Sequence, residues 1–187
     1  MSRFVLVALI AIAACRQEKI VHEPARAPKG FKEVDVDTTK GSAPTGSTVT
    51  KFDGTQATID DLWQKHRVVV VFYLGGWCPH CKRQLETLQQ YQKDISDAGA
   101  VIAAVSVDPP ETAKATAESL KLNFDVFSDA NLDTIRKWGV EDTAAHTALP
   151  ATFIVEPGGA ISYRKVGHTP TDRPTIEEVL AALQNSQ

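Results

Sequence analysis

An apolar, β-branched run, Val68–Leu74, stops at Gly75-Gly76 and leads directly into Trp77-Cys78-Pro79-His80-Cys81 and an amphipathic stretch reaching Ala98. This pattern describes a buried central strand feeding a helix whose first turn carries two thiols. Residues three positions apart at the start of a helix lie on one face, so Cys78 and Cys81 can alternate between dithiol and disulfide. The pair reads as a redox site.

The flanking sequence supplies the layers that such a strand needs. Thr48–Phe52 alternates weakly and ends in an Asp53-Gly54 turn, and Thr58–Trp63 has the pattern of a capped helical turn. One long helix is expected over Pro79–Ala98, with Cys81, Leu85, Leu88, Tyr91 and Ile95 on one face and Gly99 closing it. A second apolar strand follows at Ala100–Val107, then a helix from Pro109-Pro110 to Leu120, a strand at Phe124–Phe127 and a helix at Asn131–Trp138. Pro150–Val155 and Ala160–Val166 flank Pro157-Gly158-Gly159 as a hairpin, and Thr175–Gln184 forms a final amphipathic helix. The fold class is α/β: a three-layer α/β/α sandwich with a mixed central sheet. Trp63 and Trp138 are assigned to packing.

The amino-terminal residues are read as a targeting segment. Arg3 precedes an unbroken apolar run, Phe4–Ala14, too short to span a bilayer and suited to the core of a signal peptide over residues 1–14. It ends Ile12-Ala13-Ala14-Cys15, which resembles a bacterial lipobox with Cys15 as the lipid anchor. Residues 15–47, rich in Lys, Pro, Gly, Ser and Thr, are read as anchor and flexible tether, with a short edge strand around Phe31, Val34 and Val36. Residues 48–187 form the folded domain. With Cys15 lipidated, two of the three cysteines remain, and they have only each other as partners. An exported location, facing the periplasm, suits a disulfide; Arg16 rather than Asp after the anchor favours the outer membrane. A net charge of -3 with well-mixed signs carries no basic patch for nucleic acid. A monomer is expected.

From about Thr48 to Leu183 the chain resembles the thioredoxin superfamily, and within it the alkyl hydroperoxide reductase/thiol-specific antioxidant (AhpC/TSA, or redoxin) family. The residues that carry the likeness are Phe52-Asp53-Gly54 with Ile59–Leu62, Phe72–Cys81, Leu149–Val155, and Asp172-Arg173-Pro174 before the last helix. The resemblance implies a thioredoxin-like fold in a bacterial lipoprotein form. Two departures stand out. Typical peroxiredoxins have Pro seven residues and Thr three residues before the peroxidatic cysteine, where this chain has Val71 and Gly75. Thioredoxin has a buried Asp six residues before its first cysteine, where this chain has Phe72.

Cys78 is expected at the helix N-cap with Pro79 at the first helical position, where a missing N–H is tolerated. The positive end of the helix dipole favours an ionised Cys78 sulfur, and Cys81, one turn inside, is the resolving thiol. His80 can donate a hydrogen bond or a charge to Cys78, which stabilises the reduced form and makes the disulfide more oxidising. The same Cys-Pro-His-Cys tetrapeptide occurs in strongly oxidising DsbA oxidases. Trp77 would form an apolar lip beside the sulfurs. The resemblance implies that Pro150 is the cis-proline facing the dithiol, with Leu149 offering backbone hydrogen bonds to a bound peptide. Arg173-Pro174 matches a family feature for which capping the last helix is the modest role.

These residues lead to an envelope thiol–disulfide oxidoreductase that exchanges disulfides with protein thiols and an upstream redox partner, with no cofactor beyond the Cys78–Cys81 disulfide and no metal. The alternative is a thiol-dependent peroxidase in which Cys78 reduces a hydroperoxide, with Arg164 as the candidate for polarising the O–O bond. A third reading is a copper-binding Sco-like chaperone with His146 or His168 as third ligand. A c-type haem is excluded, because Lys82 rather than His follows Cys81. Replacing Cys15 with Ala is expected to release the protein from membranes; continued sedimentation with them would remove the anchor.

Overall fold

The computed structural model describes residues 41–185. The signal segment, Cys15 and the short strand expected around Phe31, Val34 and Val36 lie outside the described residues.

The core of the structure is β3, Arg67–Phe72, whose last five residues are all buried. A β-branched strand without polar alternation must be covered on both faces. It pairs in parallel with β4 (Ala100–Ser106) and antiparallel with β8 (Ala151–Val155). With β1 (Thr48–Thr50), β2 (Gln56–Thr58), β5 (Asp125–Ser128) and β9 (Ile161–Val166) they form a mixed seven-stranded sheet, in the order β2-β1-β5-β4-β3-β8-β9. Helices cover each face. On one side α1 (Asp60–Trp63) and α5 (Asp133–Lys137) enclose Val68, Val70, Phe72, Phe127 and Phe153. On the other, α2 (Pro79–Gln90), α3 (Gln92–Asp97), α4 (Pro110–Ser119) and α6 (Ile176–Asn185) cover Val69, Val71, Tyr73 and Ala104. The expected α/β/α sandwich is the observed one. A two-stranded ribbon, β6 (Glu141–Asp142) and β7 (Thr147–Ala148), stands apart from the sheet.

Three details differ from the expectation. The helix read as continuous from Pro79 to Ala98 is broken at Tyr91 (φ -100°, ψ 12°), between α2 and α3. Gln89 and Gln92, either side of the break, clasp the backbone of Asn123: its N–H donates to Gln89 Oε1 at 2.6 Å and its carbonyl accepts from Gln92 Nε2 at 2.9 Å. Residues 41–47, read as the end of the tether, are tied to the sheet instead. Ala43 donates to the Gly159 carbonyl at 2.7 Å, Ile161 donates to that of Gly41 at 2.9 Å, and Ala43 is buried. Small side chains there let the backbone lie against the β8–β9 turn. Finally, Gln56–Thr58 is a strand, held antiparallel to β1.

The approach to α2 is tightly packed. Asp108, buried in the β4–α4 loop, accepts the Gly76 N–H at 2.7 Å and the Ser106 hydroxyl at 3.0 Å. The bare Cα of Gly76 faces α4 so closely that a Cβ would lie 2.0 Å from Thr116 Oγ1. Gly76→Ala is therefore expected to destabilise the protein by about 1–3 kcal/mol in denaturant titrations. Thr116→Ala, added to it, leaves the nearest atom 3.2 Å away and should recover at least part of the loss. No recovery in the double variant would contradict this packing.

Candidate active site

Cys78 is the N-cap of α2. Its extended backbone (φ -81°, ψ 117°) turns the chain into the helix, Pro79 occupies the first helical position, and its sulfur accepts the Cys81 N–H at 3.4 Å. This is the geometry expected from the tetrapeptide, with a sulfur in place of the usual capping oxygen. Both sulfurs are free thiols, Cys78 being 2% and Cys81 0% exposed. They sit in one apolar cluster with Tyr73, Leu85, Ala104, Ala113 and Val126. Burial pushes the Cys81 thiol up, and so does the hydrogen bond it shares with Cys78; Arg173 and the backbone of Gly75 and Leu74 pull it back.

Arg173 is the residue that sequence reasoning left at a helix cap. Its Nη2 donates to Cys81 Sγ at 3.2 Å, its Nε to the Pro170 carbonyl at 2.9 Å, and its Nη1 to Gln84 Oε1. Gln84 in turn donates to Thr152 Oγ1 on β8 at 3.3 Å. Arg164, the earlier candidate, is on the other face of the sheet, with its guanidinium 6.0 Å from the Phe153 ring centroid. Strand alternation explains the difference, since Arg164 pairs with Phe153, which points away from α2. The only sequence signal for Arg173 was its place in Asp172-Arg173-Pro174.

The remaining expected residues are placed as follows. Trp77 is 66% exposed beside the dithiol, consistent in position with a lip. His80 lines a groove of about 230 Å³ with Arg83, Gln84, Thr152, Arg173 and Ile176, and no hydrogen bond joins it to either sulfur. Leu149 and Pro150 directly precede β8, whose Ala151 pairs with Phe72 at the end of β3. The expected cis peptide is absent: among the described residues every peptide bond is trans. Here the chain is already held extended, with the Leu149 N–H donated to the Val140 carbonyl and the Pro150 carbonyl accepting the Gly167 N–H, each at 2.7 Å. That trans form is the intrinsically preferred one, and it leaves the Leu149 N–H engaged rather than open to a peptide.

Beneath the dithiol, Tyr73 is fully buried with an unpartnered hydroxyl, and burial raises its phenol well above the usual tyrosine range. Among the described residues no group of three or more His, Cys, Asp or Glu side chains is placed to hold a metal. His146 and His168 are in no such group with the two sulfurs.

The family model described as "AhpC/TSA family" matches residues 41–164. Chloroplastic peroxiredoxin Q of Sedum lineare is 29% identical over 161 residues, covering 85% of each chain. That of Gentiana triflora is 30% identical over 149 residues, 79% of this chain and 67% of its own. Among solved structures, the peroxidoxin BcpB of Mycobacterium tuberculosis superposes with a TM-score of 0.72 at 18% identity, over 80% of this chain and 98% of that one. Reduced Prx3 of Vibrio vulnificus in complex with hydrogen peroxide gives 0.70 at 21% identity, over 79% and 96%. With its mixed sheet and the dithiol at the start of α2, the chain belongs to the AhpC/TSA family of thioredoxin-like redoxins.

Proposed function

We propose that this protein is a thiol-dependent peroxidase, with Cys78 as the thiol that meets the hydroperoxide and Cys81 as the thiol that resolves it. The observation that carries the reading is the burial of the pair. A sulfur 2% exposed at a helix N-terminus is within reach of a molecule as small as a hydroperoxide, and its resolving partner is already beside it. The peroxiredoxin relatives support the same choice.

In this scheme Cys78 Sγ attacks one peroxide oxygen and the O–O bond breaks. The remaining oxygen leaves as alcohol or water, and Cys78 becomes a sulfenic acid. Cys81 then displaces the hydroxyl as water and the disulfide closes. An external thiol must reduce that disulfide, and exposed Trp77 gives such a partner an apolar contact. In the exported, Cys15-anchored setting, that partner would be an envelope thiol protein.

A second reading, disulfide exchange with protein substrates, is favoured by the Cys78-Pro79-His80-Cys81 pair at the start of α2. One set of assays separates the two. The reduced protein is expected to consume hydrogen peroxide or an alkyl hydroperoxide faster than free cysteine does. Cys78→Ser should lower that rate by more than about a hundredfold. Cys81→Ser should stop after one turnover with a sulfenic acid that dimedone traps. Rapid oxidation of a reduced peptide dithiol by the disulfide form, with no faster hydroperoxide consumption than by free cysteine, would overturn the peroxidase reading in favour of exchange.

A further inference from the structure

The contact between Arg173 and Cys81 is built from both sides. The guanidinium is held at three points, by Cys81 Sγ at 3.2 Å, by the Pro170 carbonyl at 2.9 Å and by Gln84 Oε1. A planar fork so fixed aims one N–H at the sulfur without further adjustment. The segment that carries it, between β9 and α6, is also tied down. Gly167 donates to the Pro150 carbonyl at 2.7 Å, Asp172 donates to that of Thr169 at 3.0 Å, and Lys165 lies 3.7 Å from the Asp172 carboxylate. A Cβ on Gly167 would fall 2.0 Å from the Asp172 carbonyl oxygen, so the turn accepts no side chain there.

We propose that Arg173 activates Cys81 as the resolving thiol, holding negative charge on its sulfur while that sulfur attacks Cys78. The inference rests on the peroxidase reading only for the identity of the leaving group, which there is the hydroxyl of the Cys78 sulfenic acid. The Cys81 proton departs first, the S–S bond forms as the Cys78 S–O bond breaks, and the hydroxide leaves with that proton as water. Sulfenic acid and thiol thus combine to a disulfide, and no further oxidant or reductant is consumed. In disulfide exchange the same sulfur would expel a partner thiolate from Cys78.

The need for such a residue follows from the surroundings. A fully buried thiol resists ionisation, and a sulfur that stays protonated is a poor nucleophile. β4, β5 and α4 present Ala104, Val126, Ala113 and Ala117 to the site, none of them charged. Among the described residues, Arg173 is the cation whose charge acts on Cys81, beside Cys78 on the same helix and the Tyr73 phenol at the end of β3. Asp108 acts on Tyr73, and His80 and Arg83 line the groove that Arg173 shares.

The test separates the two sulfurs. In a Cys78→Ser background, the ultraviolet absorbance of the Cys81 thiolate is followed against pH. Arg173→Met is expected to move the midpoint up by about one pH unit, so that about tenfold less thiolate is present near neutrality. Arg173→Lys should restore part of the shift, and Gln84→Met, which removes one anchor of the fork, should give a smaller upward move. In a Cys81→Ser background, Arg173→Met should change the rate of Cys78 oxidation by hydrogen peroxide less than about threefold. An unchanged Cys81 titration, or a loss of Cys78 oxidation as large as the effect on Cys81, would overturn the assignment. If Cys78 proves inert to hydroperoxides while Cys81 still shifts, Arg173 retains its role in disulfide exchange and only the peroxidase reading falls.

Discussion

The hydrogen bond from the Gly76 amide to the buried Asp108 carboxylate, 2.7 Å long, decides where α2 begins. It anchors the two-glycine turn between β3 and α2 on the β4–α4 loop, and the bare Gly76 Cα against Thr116 closes the remaining space. With that turn held, Cys78 falls at the N-cap, Pro79 at the first helical position and Cys81 one turn further, inside the cluster. An Asp–amide bond of this kind is charge-assisted and, in a buried site, costly to leave unmade. Position of the sulfurs is therefore set by a loop on the neighbouring strand rather than by the dithiol helix alone.

The same division of labour runs through the sheet. Phe72, Phe153, Trp63 and Trp138 form an aromatic cluster on the face away from the thiols, with centroid separations of 4.9 to 6.0 Å. Trp138 also donates to Ser47 Oγ at 3.0 Å, so that face is anchored to the segment before β1. On the opposite face, Val71 and Ile154 support α2 and α6, while Tyr73 at the end of β3 reaches the sulfurs. Arg67, at the start of β3, bonds Glu156 at 2.7 Å and the Leu183 carbonyl at 2.8 Å, which ties β3, the end of β8 and α6 together at the end remote from the dithiol. A rigid remote end and a tightly packed near end leave the chemistry to the helix start and the segment carrying Arg173.

Much of this was legible in the residues themselves. Val68–Leu74, the Pro-Gly-Gly turn before Ala160 and the Cys-Pro-His-Cys tetrapeptide are strong local signals, and the three layers follow from them. The misses share a cause: each depends on partners distant in sequence. Tyr91 interrupts the helix because Gln89 and Gln92 bond Asn123, more than thirty residues away. Arg173 reaches Cys81 across 92 positions, and no local pattern in Asp172-Arg173-Pro174 encodes that meeting. The cis form assigned to Pro150 came from likeness alone, and the Val140 and Gly167 bonds around it belong to an extended trans chain. Gly41–Ser47 reads as linker by composition, yet small residues also suit a backbone lying against a turn.

In the proposed scheme, two buried thiols one helical turn apart, with a guanidinium on the inner one, close into a disulfide after the first oxidation. Peptide mass mapping of the reduced protein after one molar equivalent of hydroperoxide tests this most directly. The account requires a single intramolecular Cys78–Cys81 disulfide. Oxidation that stops at Cys78 with Cys81 still free, or a disulfide linking two chains, would contradict it.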